Sequence, residues 1–136
     1  MRIPEFLGVL AEGLAAIGRL AEALATVDEA LCQSYRDGQR WFIAELLRIK
    51  AELLLQEAGS DPISVAEDCL FRAIGEAQRQ GALLWELRAA LSLARLRVRQ
   101  DRHGDGRQLL TPIYDRFTEG YETPDLKSAR AMLDVL

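Results

Sequence analysis

The segment GRLAEALATVDEAL, residues 18 to 31, decides the fold. Gly18 is predicted to end one helix, and the apolar residues after it recur at intervals of three and four, which places them on one side of a second helix. These residues are Leu20, Ala23, Val27, Ala30 and Leu31. Because one helical hairpin cannot bury its own apolar face, the segment predicts that neighbouring hairpins stack against it.

The remaining chain supplies these neighbours. Apolar residues at helical spacing predict helices over residues 4–17, 20–36, 40–57, about 61–80, 83–100, about 105–118 and 124–135. Gly38, Gly59, Gly81 and Gly120 mark helix ends, and Thr123-Pro124-Asp125 is typical of a helix start. No stretch alternates long enough for a strand. We expect an all-α domain over 1–136, with hairpins at about 4–36, 40–80 and 83–119 and a capping helix at 124–135.

Composition narrows the class of protein. The 136 residues suit one domain, and 49% of them are hydrophobic, with Leu and Ala dominant. A formal net charge of -4 argues against a nucleic-acid partner. The sequence contains no apolar run of the roughly 18 residues that cross a bilayer, and it begins with no signal-peptide pattern. We therefore expect a cytoplasmic protein without a membrane partner.

The sequence predicts no metal site and no cofactor. Cys32 and Cys69 stand far apart and form no CxxC pair, so both are expected to be buried free thiols. The turn at 101–106 has the Asp and Gly spacing of part of a calcium loop, but His103 and Pro112 occupy positions that need oxygen ligands. His103 is the only histidine and has no nucleophile motif beside it, so no enzyme is expected.

An internal repeat relates the hairpins. Ala23, Ala66 and Gly106 align as the small residue of the second helices; Val27, Leu70 and Leu110 follow as the large residue, and Ala30, Ala73 and Ile113 come next. In the first helices Ala11, Ala51 and Ala94 align, followed by Leu14, Leu54 and Arg97. Ile113 and Arg97 depart from the pattern, the first in size and the second in charge.

On these residues the chain resembles the tetratricopeptide repeat family. The small-large-small order at Ala23, Val27 and Ala30 is similar to that of its second helix, and Leu7, Leu10, Ala11 and Leu14 match its first-helix signature. The resemblance implies a right-handed α-solenoid of about three hairpins with an extended binding surface. Successive units are 43 and 40 residues apart rather than about 34, so HEAT-type repeats are an alternative assignment for the same stacked architecture.

A second resemblance covers residues 87–136, above all PIYDRFTEGYETPDLK. This part is similar to the C-terminal tails of large bacterial signalling proteins, in which an adenylate or guanylate cyclase domain or a winged-helix regulator domain precedes an ATPase module. The resemblance implies a role in bacterial signalling or transcription control. The chain itself has no phosphate-binding loop of the GxxxxGK[ST] type.

Four arginines are the candidate binding residues. Arg48, Arg88, Arg95 and Arg99 are predicted to face the groove formed by the first helices, where guanidinium groups could hold the carboxylates of an acidic peptide or domain. The alternative is that they pair with Glu45, Glu52 or Glu86. Trp41 and Trp85 begin the third and fifth helices, so packing between repeats is the first interpretation and a binding hot spot the second.

The sequence therefore predicts a non-catalytic protein-interaction module. Two alternatives stay open: a small-molecule sensor, which needs a closed pocket of about 300 Å³ or more, and a self-association module. The last helix has a polar outer side and looks like a cap, whereas the first helix, with Phe6, Leu10 and few charges, does not. A homodimer through the N-terminal hairpin, or a preceding repeat, is expected there.

Overall fold

The fold is all-helical over the part of the chain that the computed structural model describes, residues 4–57 and 61–136. Side chains are described for residues 7–57 and 62–136. The helices are α1 (Pro4–Ala16), α2 (Leu20–Asp37), α3 (Ile43–Leu54), α4 (Asp61–Gln80), α5 (Leu83–Arg99), α6 (His103–Tyr114) and α7 (Pro124–Val135). No strand occurs in these ranges.

Local sequence signals predicted the end of α2 and the start of α7. Gly38 follows α2 with a φ of 70°, a left-handed conformation that glycine adopts without steric cost, and its N–H bonds to the last turn of the helix. Thr123 precedes Pro124 as predicted, but its hydroxyl donates to the carbonyl of Gly120 at 2.6 Å instead of capping α7. The predicted end at Gly59 lies outside the described residues.

Some predicted boundaries were wrong. The third helix spans Ile43–Leu54 and not 40–57, so Trp41 and Phe42 lie in the preceding turn. The sixth helix spans His103–Tyr114 and not 105–118, and it continues through Pro112 without an early interruption. At the start of α3 and at the end of α6, the apolar periodicity extends past the point at which the backbone leaves the helix.

The helices pack in chain order. In the described residues, α1 contacts α2 and α3 alone, and the first helices contact one another in sequence, α1 with α3, α3 with α5 and α5 with α7. The second helices α2, α4 and α6 each pack between the preceding and following first helix. Within the same ranges their backbones do not approach one another closely, although the Arg72 side chain of α4 donates to the Tyr35 hydroxyl of α2 at 3.0 Å. Each hairpin therefore finds its apolar partners in the adjacent hairpins.

The predicted repeat register describes the core. The aligned small and large positions of the second helices are all buried, as are Ala11, Ala51 and Ala94 in the first helices. Gly106 is closely packed, since a Cβ there would lie 3.1 Å from Leu136 Cδ2 and that side chain would have to shift. Gly8 allows close approach of α3 to α1, since a Cβ would lie 3.2 Å from Ile49 Cδ1, whereas Gly13 faces open space.

The charged exception in the register is paired. Arg97 is buried where the repeat has leucine, and its guanidinium lies 3.1 Å from Glu67 on α4 and 5.9 Å from the centre of the Phe71 ring. A hydrogen bond from Gln100 and the charge of Arg97 lower the pKa of Glu67 despite partial burial. A charge at this position is thus compatible with packing because α4 supplies its counterion.

Several residues predicted to be buried are not. Cys32 is exposed on the outer side of α2, while Cys69 is buried, which raises the pKa of its thiol. Val65 on α4 and Leu84 on α5, which helical spacing places with the apolar residues of their helices, are also about half exposed. These positions lie at the margins of apolar stripes, where periodicity alone does not separate core from surface.

Candidate functional site

The first-helix face carries an ion-pair network centred on Glu45 of α3. Glu45 is buried, and both its oxygens accept hydrogen bonds from Arg48, one turn further along, at 3.2 and 3.1 Å. Arg88 on α5 reaches the same carboxylate at 2.9 Å and also lies 3.6 Å from Asp125 on α7. The network joins three successive first helices, so two of the four predicted arginines are already paired within the chain.

Arg48 is held in a strongly acidic environment. Burial by itself lowers the pKa of Arg48, but the hydrogen bonds to Glu45 and the nearby charges of Glu12 and Glu52 raise it above its ordinary value. Glu12, Glu52 and Arg48 line a depression between α1 and α3 of about 230 Å³. The α1–α3 part of the face is therefore not the cationic surface that the four arginines suggested.

The surroundings of Arg95 and Arg99 differ from those of Arg48 and Arg88. Both are exposed on α5, four residues apart and so on neighbouring turns of one helix side. No hydrogen bond or ion pair joins either guanidinium to another described residue. These two side chains are the part of the predicted set whose donors remain open to a partner.

Trp41 and Trp85 come together as their equivalent placement predicted. Their ring centroids are 6.2 Å apart in a stacked arrangement, and Phe42 contacts both rings, at 5.3 Å from Trp41 and 5.6 Å edge-on from Trp85. The cluster ties the start of α3 to the start of α5. Trp41 nevertheless keeps 48% of its surface exposed, so packing between repeats leaves one side of the indole available.

Sequence reasoning missed a second polar cluster beside Trp41. Glu76 of α4 is buried and accepts two hydrogen bonds from Arg40 at 3.0 Å each, one from Arg79 at 2.5 Å and one from Gln80 at 3.3 Å. Burial raises the pKa of Glu76, but these hydrogen bonds outweigh it and leave the pKa at about 2. Arg40 lies before α3 and is 36 residues from Glu76 in the sequence, and no short-range pattern signals that pairing.

The outer face of α1 is apolar and uncovered. Val9 is 66% exposed, and Leu10 and Ile17 are also exposed. The register position of Val9 is occupied by Ile49 in α3 and Ser92 in α5, which are 3% and 2% exposed, and Ile49 lies against α1 beside Gly8. The first helix therefore presents the kind of surface that the later first helices bury.

Within the described ranges, no group of three or more His, Cys, Asp and Glu side chains could hold a metal ion. In the same part of the chain, no helix combines the length and apolar character needed to span a bilayer. His103 lies at the start of α6 with its Nδ1 3.5 Å from a carboxylate oxygen of Asp101.

Comparison of the chain with family models, with curated proteins and with solved structures found no match.

Proposed function

We propose that the chain is a non-catalytic protein-interaction module, built as a right-handed α-solenoid of about three tetratricopeptide-like hairpins with α7 as the cap. The neighbour-only packing of the helices and the burial of the aligned repeat positions support this architecture. The resemblance of residues 87–136 to bacterial cyclase- and ATPase-linked regulators supports a place in signalling or transcription control. A cytoplasmic location and the absence of nucleic-acid and membrane partners belong to the same proposal.

The first-helix face is the proposed binding surface. The backbones of successive first helices approach one another closely, whereas those of successive second helices do not in the described part of the chain, where Arg72 of α4 reaches Tyr35 of α2 through its long side chain. A stack whose first helices are closer together than its second helices curves toward the first helices, which makes their shared face concave. Concave surfaces of this kind are the ones that helical-repeat proteins use for extended partners.

An acidic segment is the proposed partner, and one observation carries this choice. Arg95 and Arg99 are exposed side by side on α5 without a carboxylate from the described residues. Unpaired guanidinium groups bind carboxylates through charge-assisted, often bidentate hydrogen bonds. Because Glu12 and Glu52 make the α1–α3 end acidic, we place the acidic part of the partner over α5.

Charge reversal tests the proposal. A library of short peptides should show binding that favours acidic members, weakens with salt and is reduced in Arg95→Glu/Arg99→Glu. The matched control is Arg36→Glu/Arg130→Glu, which changes the net charge equally at exposed positions on α2 and α7. Acidic peptides that bind both double variants equally well would contradict the placement on α5.

Self-association is a second candidate function, favoured by the apolar face of α1. Sedimentation of the chain should then show a dimer that dissociates on dilution, and Val9→Lys/Ile17→Lys should give monomer alone. A wild-type chain that stays monomeric at high concentration would remove this candidate. A small-molecule sensor is less well supported, because it needs a closed pocket of roughly 300 Å³ or more. The α1–α3 depression measures about 230 Å³, and a larger one of about 500 Å³ beside Trp41 is open to solvent.

A further inference from the structure

A depression of about 500 Å³ lies beside Trp41, away from the arginines of α5. It is lined by Arg40, Trp41, Glu76, Arg79 and Gln80. Its polar wall comes from the end of α4 and its apolar wall from the turn before α3. We call it the Trp41 pocket.

The Trp41 pocket has a surplus of positive charge. Arg40 and Arg79 share the single carboxylate of Glu76, which is buried, while the two guanidinium groups are 51% and 66% exposed. The pKa of about 2 keeps Glu76 ionised at neutral pH, so the local sum is one positive charge. Further from the pocket, Arg36 pairs with Asp37 at 4.0 Å, and Arg72 donates to the hydroxyl of Tyr35 at 3.0 Å.

The two guanidinium groups are fixed before any partner arrives. Arg40 uses its Nε and Nη2 on Glu76, and its guanidinium carbon lies 5.3 Å from the centre of the Tyr35 ring. Arg79 uses one Nη2 on the same carboxylate. A guanidinium has five N–H donors, so each keeps donors for a further acceptor. Side chains that are already ordered lose little entropy when they bind.

The apolar wall of the Trp41 pocket offers an exposed aromatic surface to a partner. Trp41 is stacked on Trp85 on one side and half exposed on the other. Tryptophan and arginine are among the residues most enriched at binding hot spots.

We propose that the Trp41 pocket is a second docking site, which binds the carboxylate of an Asp or Glu side chain of a partner peptide together with an adjacent apolar side chain that packs on Trp41. The surplus positive charge favours an acidic side chain of the partner, and the exposed indole of Trp41 favours an apolar side chain next to it. This site does not depend on Arg95 and Arg99, and the two can succeed or fail separately.

Capped tetrapeptides with Glu-Leu, Gln-Leu or Glu-Ser at the centre provide the probes. Binding is followed by the indole N–H signals in NMR spectra of the full chain, which contains two tryptophans; Trp41→Phe assigns them. The Glu-Leu peptide should shift the Trp41 signal, and the Gln-Leu and Glu-Ser peptides should bind several-fold more weakly. Loss of one charge-assisted hydrogen bond in Arg79→Gln should reduce the affinity by about tenfold.

Matched variants test whether binding depends on the Trp41 pocket itself. Arg72→Gln removes a charge elsewhere on α4 and should leave the Glu-Leu affinity unchanged, as should Arg95→Glu/Arg99→Glu. The proposal is overturned if the Glu-Leu peptide does not shift Trp41, or if Gln-Leu or Arg79→Gln binds equally well. It is also overturned if a phosphoserine peptide binds more tightly than Glu-Leu and does so without Trp41, in Trp41→Ala, because the pocket would then be a plain anion site.

Discussion

Removal of the Glu45 carboxylate should loosen the whole first-helix face. Glu45→Gln, Arg88→Met and the double variant form a double-mutant cycle across α3 and α5. Glu45 is buried and faces two guanidinium groups, Arg48 and Arg88. Glutamine keeps the shape of the side chain but removes the charge, so both arginines lose their main counterion.

The expected magnitude lies between two limits. Loss of one partner from a fully buried ion pair costs about 3–5 kcal/mol, and an exposed pair contributes about 0–1 kcal/mol. Arg88 keeps 35% of its side chain exposed and retains Asp125 at 3.6 Å, so solvent screening reduces its share. We expect Glu45→Gln to lower the free energy of unfolding by about 2–3 kcal/mol and the Glu45–Arg88 coupling to be about 1–2 kcal/mol.

Urea unfolding of the four chains measures this coupling. The control cycle uses Arg19→Met and Glu22→Gln, an exposed pair at 2.6 Å within one helical turn, for which about 0.3 kcal/mol is expected. A Glu45–Arg88 coupling as small as that of the control pair would refute the reasoning. Arg48 and Arg88 would then be available to a partner, and the binding surface would have to be drawn around all four arginines.

Three further predictions concern stability. The pKa of Glu76 in the folded protein, about 2, is below its ordinary 4.5, so its ion pairs stabilise the fold above pH 4.5 and are lost as the pH falls toward 2. In urea titrations the stability difference between wild type and Glu76→Gln should therefore shrink between pH 4.5 and 2. A difference that stays constant over this range would contradict the pairing. Gly13→Ala should raise the free energy of unfolding by about 0.5–1 kcal/mol, because the site is helical and open. Gly38→Ala should lower the free energy of unfolding, because Gly38 has a positive φ. Equal effects of the two substitutions would contradict the assigned backbone conformations. Leu70→Ala should cost about 2–5 kcal/mol and Val9→Ala well under 1 kcal/mol, and similar losses at both would contradict the core assignment.

The repeat register could be predicted from sequence because it rests on short-range spacing. Small and large residues recur along each helix, and their alignment between hairpins predicts which side is covered, as the burial of Val27, Leu70 and Leu110 confirms. Gly38 was predictable for the same reason, since it depends on its own backbone conformation and on the adjoining turn of helix.

The charge distribution could not be predicted in the same way. Whether Arg88 pairs with Glu45, Glu52 or Glu86 depends on how α3 and α5 are placed, and the structure shows Glu86 occupied instead by Arg116 at 2.9 Å. The Trp41 pocket was missed because Arg40 and Glu76 are 36 residues apart. A second contact over a similar distance in the sequence joins the same segments, since Gln80 donates to the backbone carbonyl of Arg40, before the start of α3, at 2.5 Å.

The central claim is that the hairpins form an open stack, in which the first and last helices stay apart. Distances between spin labels at Val9→Cys on α1 and Arg130→Cys on α7 test it most directly, in a chain whose exposed Cys32 is replaced by serine. Three steps between adjacent helices of about 8–10 Å each predict a separation of up to roughly 24–30 Å between the two helices, and the label distance should exceed two such steps, about 20 Å, even in a curved stack. A label distance near 10–15 Å, about one helix-to-helix step, would show a closed bundle, which has no concave face for a partner.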